Sequence, residues 1–308
     1  MIHFVEKRRL YFTIAGALIL LSIGALVAST LVYGQPLRIS IDFTGGSLLV
    51  LEFEEPVTEA GIRNVFDSQG YTGAIIQKLG GDGDRLWQVR MSFATADEVQ
   101  AALNALDQNV GTVDRGNSNV DTIEPAVGAE VARNAALAVL VASLVVLVFI
   151  WFSFRGVPHS IRYGVASIIA MTVNVIVAIG FYALMGIFQG WEANALFLTA
   201  LLTVIGFSVQ DIIVVFDRIR ENIPRHQGEP FSMIVNRSVM ETIHRSLATQ
   251  LNAMFIMISI LLFGGATIKP FIAVMLVGML SETFTSLFVA VPIVVAWEER
   301  SKGELATV

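Results

Sequence analysis

A chain of 308 residues is long enough for two or three soluble domains. Its composition excludes that arrangement: hydrophobic residues make up 55% and charged residues only 15%, with a mean hydropathy of +0.69. Cysteine is absent, which rules out disulfides and thiol chemistry, and the net charge of −6 comes without any basic stripe interleaved with aromatics, so nucleic-acid binding is not expected.

The apolar residues fall into runs of about 20, enough for a helix to cross a ~30 Å hydrocarbon core. Residues 1–9 form a short basic N-terminus, and Leu10–Tyr33 is the first run. It exceeds the roughly 7–15 apolar residues of a signal peptide and reads as an uncleaved anchor. Residues 34–132 are the water-soluble part. Within it Ser47–Phe53 reads as a strand, and Val57–Ser68 as a helix with Ile62, Val65 and Phe66 on one face. Ala74–Leu79 and Arg85–Ser92 read as two strands joined by the turn-forming Gly80-Gly81-Asp82-Gly83-Asp84. Thr95 and Glu98 have capping-box spacing and open a helix to Leu106. Val120–Ile123 completes the order β-α-β-β-α-β, that of the ferredoxin-like motif. A domain of about 90 residues can just bury its own core. Residues 133–297 hold five further runs: Asn134–Phe152, Tyr163–Phe188, Ala193–Phe216, Leu247–Gly265 and Phe271–Trp297. Residues 298–308 form a tail. The fold class is a polytopic helical membrane protein of six spans, with one α+β domain between the first and second.

Orientation follows from basic residues in the short flanks. A cytoplasmic N-terminus places Lys7, Arg8, Arg9, Arg155, Arg162, Arg218, Arg220, Arg225, Arg237, Arg245, Arg300 and Lys302 inside. The short outer connections, Gln189–Glu192 and Ala266–Pro270, then hold Lys269 alone. The reading is a multi-pass protein of the cytoplasmic (inner) membrane, both termini inside and residues 34–132 outside.

Asp211 lies within the fourth run, with Ser208 one turn before it. An acid there costs roughly 3 kcal/mol on insertion scales, and such residues usually move an ion or proton. The alternative is a static salt bridge kept for specificity. Thr199, Thr203, Ser208 and Asp211 are expected to share a face, as are Arg245, Thr249 and Asn252 on the fifth span. The plain account of each hydroxyl is helix packing in lipid. Glu282 lies in the middle of the sixth run, near Gly278, Thr285 and Ser286. It reads either as a second protonatable site or as a protonated Glu bonded to a neighbouring helix. Asp217, Arg218, Arg220 and Glu221 have i,i+3 spacing for exposed ion pairs. His3, His159, His226 and His244 are scattered without metal-ligand grouping. No nucleophile–base, metal or phosphate-cradle pattern is present, so neither an enzyme nor a bound cofactor is expected.

Several segments carry a family resemblance. Asp42-Phe43-Thr44-Gly45-Gly46 resembles the D-F-T-G-G motif of the SecF family of protein-export membrane subunits. Glu124-Pro125-Ala126-Val127-Gly128 is similar to that family's G-P-x-V-G, with Glu124 in place of Gly. Gln210-Asp211 through Glu221-Asn222 resembles N-D-x-V-V-V-F-D-R-I-R-E-N, Thr242-Ile243-His244-Arg245-Ser246 resembles T-x-x-R-T, and the Phe263-Gly264-Gly265 turn also fits. The resemblance implies a six-span SecD-like partner, together forming a twelve-helix core of the resistance–nodulation–division (RND) type. It further implies work beside the Sec translocon channel, drawing unfolded polypeptide through the bilayer at the expense of a transported H⁺ or Na⁺. The family's intramembrane Asp and Arg fall on Asp211 and Arg245. An apolar surround penalises a charged carboxylate and a nearby cation favours it, so an Arg245 that approaches and withdraws would load and discharge Asp211. Gln210, Asn174, Gln250, Asn252 and Glu282 depart from the usual family residues. On this resemblance Glu282 has a third reading, as partner to a basic group on the SecD-like chain. Asp42 and Thr44 are expected to shape the junction between span and domain, with the glycines permitting positive-φ turns. A non-conducting scaffold subunit, or half of a small RND-type exporter, are the other readings.

Overall fold

The computed structural model describes residues 5–79, 83–154, 160–265 and 267–305. His3, Gly80, Gly81, Asp82, Arg155, His159 and Ala266 lie outside these. The chain divides into two compact units: one of residues 1–38 with 138–308, the other of residues 39–137.

Helix α1 (Arg8–Tyr33) ends where Gly34 takes a left-handed φ of 74°. In the second unit a single turn, α2 (Ile41–Thr44), is capped by Ser40 and leads into β1 (Gly46–Glu52). There follow α3 (Glu59–Ser68), β2 (Ile75–Lys78), β3 (Leu86–Met91), α4 (Ala96–Asn109) and β4 (Asn119–Ile123). The sheet order is β2-β3-β1-β4, with every neighbouring pair antiparallel. This is the ferredoxin-like arrangement expected from the element order. Alternation along β1 and β3 sends Leu49, Leu51, Val89 and Met91 to one face, where Ile62, Val65 and Phe66 of α3 and Val99, Leu103 and Leu106 of α4 cover them.

Local signals set the helix starts. The Thr58 side chain accepts from Gly61 N–H, and Thr95 with Glu98 forms a complete capping box. Thr95→Ala is expected to cost about 1 kcal/mol, read as faster amide exchange across α4. The Thr95 hydrogen bonds hold the Glu98 carboxyl below its usual range. That contribution is present above the unfolded value of about 4.3 and is lost as pH falls through the lower folded value. The difference between wild type and Thr95→Ala therefore shrinks in acid.

The remaining helices are α5 (Pro125–Phe154), α6 (Ser160–Gln189), α7 (Ala195–Arg225), α8 (Phe231–Phe263) and α9 (Lys269–Thr285). A π-helical turn, Ser286–Ala290, joins α9 to α10 (Val291–Leu305), so the last three form one continuous rod. Pro292 has no N–H to offer the Phe288 carbonyl, which accounts for the altered bonding there. Among the described residues six helices are long and apolar enough to cross a membrane. Their ends differ from the apolar runs: α5 starts at Pro125 rather than Asn134, α7 continues to Arg225, and α8 starts at Phe231 rather than Leu247. An apolar run marks lipid depth, whereas a helix propagates until its backbone is capped or broken.

The membrane unit packs around Tyr163, Ala166 and Ala170 of α6, Ile212, Val215 and Phe216 of α7, and Val235 and Val239 of α8. Leu287, Ala290 and Val294 of the last rod close this core. Lipid removes the aqueous driving force, so close backbone approach matters more than apolar area. The small face of α1, with Ala15, Ser22 and Ser29 buried, follows that rule. A Cβ on Gly180 of α6 would stand 2.3 Å from that of Ser22. Beyond α1, Arg38 forms a buried ion pair with Glu192 at 3.0 Å and lies over the Tyr33 ring. Ala193 N–H donates to the Arg38 carbonyl, fastening this segment to the α6–α7 connection. At the other end Arg8 pairs with Glu299 at 2.6 Å, and Arg162 pairs with Glu298.

Candidate functional site

Two carboxylates, one amide and a set of hydroxyls gather inside the membrane unit where α7, α8 and α9 meet. Asp211 of α7 is 6% exposed and Glu282 of α9 is 0% exposed. Gln250 of α8 lies between them: its Nε2 donates to Asp211 Oδ2 at 3.0 Å and also to Glu282 Oε2. Gln250 Oε1, Glu282 Oε1 and the Ser246 hydroxyl are buried without a partner among the described residues. Gly278 permits the close approach of α9, since a Cβ there would stand 2.3 Å from the Val204 side chain of α7.

Beside this trio a second polar group is fully paired. Asn174 of α6 donates through Nδ2 to Ser208 at 2.9 Å, while its Oδ1 accepts from Ser281 and Thr285, each at 2.8 Å. Ser208 in turn donates to the Val204 carbonyl. One amide thus ties α6, α7 and α9 together. Such bonds hold well in lipid because no water competes for them.

Three expectations are corrected by this geometry. The Thr199 and Thr203 hydroxyls bond back to the carbonyls of Ala195 and Thr199 and lie off the Asp211 face. At 3.6 residues per turn a separation of twelve leaves Thr199 about 120° from Asp211. Thr249 is exposed, with its hydroxyl on the carbonyls of Arg245 and Ser246. Arg245 and Asn252 share that exposed side, so the expected common face forms but is turned outward, and Gln250 is the residue of α8 that reaches the carboxylates. Asp211 also has no ion pair among the described residues, although the Arg245 charge acts on it through space. A static Asp211–Arg245 bridge is therefore absent from this conformation, and Gln250 holds the carboxylate.

Neither Gln250 nor Asn174 was singled out by sequence as a hub. The available signal was an amide in mid-span, with Ser246 and Gln250, and Ser281 and Thr285, each spaced i,i+4. The exposed pairs at the end of α7 form as expected, Arg220 with Asp217 at 3.4 Å and Arg218 with Glu221 at 2.7 Å. Arg218 also reaches Glu241 of α8 at 2.6 Å. No cluster of three or more His, Cys, Asp or Glu suited to a metal exists among the described residues.

The Asp42–Gly46 segment forms a tight joint within the α+β unit. The Thr44 hydroxyl donates to the Ser40 carbonyl and accepts from Arg90, and Asp42 N–H is weakly capped by Ser40. Phe43 is half-buried. Gly45 and Gly46 take φ of 71° and 125°, as a positive-φ turn requires. A Cβ on Gly45 would stand 2.5 Å from Pro125 Cα, and one on Gly128 would stand 2.5 Å from Gly45 N. The paired glycines thus let the start of α5 lie directly on this turn.

Six membrane-length helices, a ferredoxin-like domain after the first, and buried carboxylates at the crossing of the fourth, fifth and sixth define a six-span membrane protein of the RND type. The family model described as "Protein export membrane protein SecD/SecF, C-terminal" matches residues 102–300, and the "SecD/SecF GG Motif" matches residues 31–57. The chain belongs to this family, as a SecF-type protein translocase subunit. It is 41% identical to the translocase subunit SecF of Anaerolinea thermophila, over 97% of this chain and 94% of that protein. With the SecF of Thermobaculum terrenum identity is 39%, covering 92% of each. The crystal structure of SecDF, described as a translocon-associated membrane protein, from Thermus thermophilus superposes with a TM-score of 0.78 at 30% identity. That match covers 96% of this chain but only 38% of the SecDF chain.

Proposed function

We propose that this chain couples a cation gradient to protein translocation, as one half of a complex with a SecD-like six-span subunit. Cation binding and release at Asp211 changes the packing of α7, α8 and α9, and that change is passed to the α+β unit as it handles an unfolded polypeptide emerging from the Sec channel. The observation that carries this reading is Asp211 itself, a largely buried carboxylate inside a membrane-length helix, held by Gln250. An intramembrane acid without an adjacent cation is costly, and ion or proton movement is its commonest use. The SecDF relative supports a partner half, because this chain corresponds to 37% of that protein's length. The polar exposed side of α8, with Arg245, Thr249 and Asn252, is unsuited to lipid and fits such a partner.

Orientation belongs to the same proposal. Residues 34–132 lie outside, 10–33 and 133–297 carry the spans, and residues 1–9 and 298–308 lie in the cytoplasm. The Arg8–Glu299 and Arg162–Glu298 pairs support both termini lying on one side, as the basic flanks suggest.

The test is reconstitution of the chain with its co-purified partner in vesicles. A cation gradient is expected to drive influx above that of empty vesicles. Vesicles that stay tight, while the same complex still assists translocation, would leave the subunit a scaffold.

A further inference from the structure

The geometry points to a second carboxylate in the cation site: Glu282 and Asp211 together hold one monovalent cation, a proton or a sodium ion, at a centre whose spacing is set by the Gln250 amide. This rests on the coupling reading above and deepens it.

Both carboxylates bond to the same nitrogen, Gln250 Nε2. They are therefore no more than about 6 Å apart, twice an ordinary hydrogen-bond length. Both are buried. The groups that touch them are neutral, Gln250 of α8 among them with Asn174 of α6 and Ser246 of α8 close by, and the Arg245 charge reaches Asp211 only through space. Arg245 is on the exposed side of α8 and forms no ion pair with either acid among the described residues. Two carboxylates this close and this dry repel one another, and the pair is relieved when it shares a positive charge.

The atoms left without partners belong to these same residues and to Ser246, one turn before Gln250 on α8. Gln250 spends its amide nitrogen on one oxygen of each acid. Asp211 Oδ1, Glu282 Oε1, Gln250 Oε1 and Ser246 Oγ remain, and the last three are buried without a hydrogen-bond partner among the described residues. The neighbouring Asn174 group is in contrast satisfied by Ser208, Ser281 and Thr285. Oxygen donors on three helices suit a hard cation, while four of them fall short of the six to eight oxygens calcium requires. Because the donors sit on α7, α8 and α9, loading the centre draws these helices together and unloading it loosens them.

Glu282→Gln separates this role from packing, since it keeps the side-chain size and an acceptor for Gln250 while removing the charge. In vesicles holding the full complex, cation influx is expected to fall at least tenfold in Glu282→Gln, with unchanged co-purification of the partner. A pH jump in sodium-free buffer, run beside a sodium gradient at constant pH, distinguishes the two cations. Infrared difference spectra of the wild-type complex are expected to show a carboxyl band that responds to the effective cation and disappears in Glu282→Gln. If Glu282→Gln keeps influx and the band while Asp211→Asn loses influx, the second-carboxylate assignment is overturned and the coupling reading survives. Influx that persists in Asp211→Asn overturns both.

Discussion

Replacing Asp211 by Asn is expected to remove the gradient-dependent part of translocation while leaving the complex assembled. Asn is nearly the same size and keeps an oxygen to accept from Gln250 Nε2, the bond seen at 3.0 Å. Its neutral side chain is also easier to place in lipid than the acid it replaces. Helix packing and partner binding are therefore preserved, and only the exchangeable charge is lost. One charge moving through 100 mV supplies about 2.3 kcal/mol. At about 1.4 kcal/mol per tenfold that is worth roughly fiftyfold in rate. The measurement is translocation of an unfolded polypeptide with and without an uncoupler. Wild type is expected to slow by that order when the gradient is collapsed, and Asp211→Asn to run at the slow rate in both conditions. An Asn variant that still responds to the uncoupler removes the carboxylate from the mechanism.

The elements were legible to different depths because different forces set them. The order of strands and helices in residues 39–137 is local: the short β-prone apolar run Leu48–Leu51 and the Thr95–Glu98 box need no knowledge of the rest of the chain. Span existence is equally legible, since it follows from bilayer thickness. Span ends are not, and α8 shows why. Its first turns bury Ile234, Val235 and Val239 but carry polar residues between them, so no apolar run announces the helix. At the site, Asp211 and Glu282 stand out because a charge in an apolar run is costly wherever it points. Gln250 does not, because a neutral amide costs less and its bridge depends on which faces of three helices meet. Thr199 and Thr203 lie off the Asp211 face because each i,i+4 step advances about 40° around the helix, which sums to about 80° for Thr203 and about 120° for Thr199. The family resemblance set Arg245 opposite Asp211, whereas in this conformation Gln250 occupies that role.

Gly45→Ala is expected to destabilise the α+β unit by at least about 3 kcal/mol, from two independent causes. With φ 71° and ψ 172°, Gly45 occupies a backbone region essentially closed to L-residues. The added methyl would also lie 2.5 Å from Pro125 Cα and 2.8 Å from Pro125 N, both main-chain atoms that cannot rotate away. Relief requires moving the first turn of α5 off the joint. Gly128→Ala strikes the same contact from the other side, at 2.5 Å from Gly45 N. Because both substitutions force the same separation, the double variant should cost less than the sum of the two. Gly73→Ala is the control: a Cβ there meets nothing within 4 Å and φ is not positive. It is expected to stay within about 0.5 kcal/mol of wild type. Amide exchange across β1 and β3 in the intact chain reads all four variants. Protection in Gly45→Ala equal to that in Gly73→Ala would mean that the joint yields without cost, and that the paired glycines answer to something other than close packing.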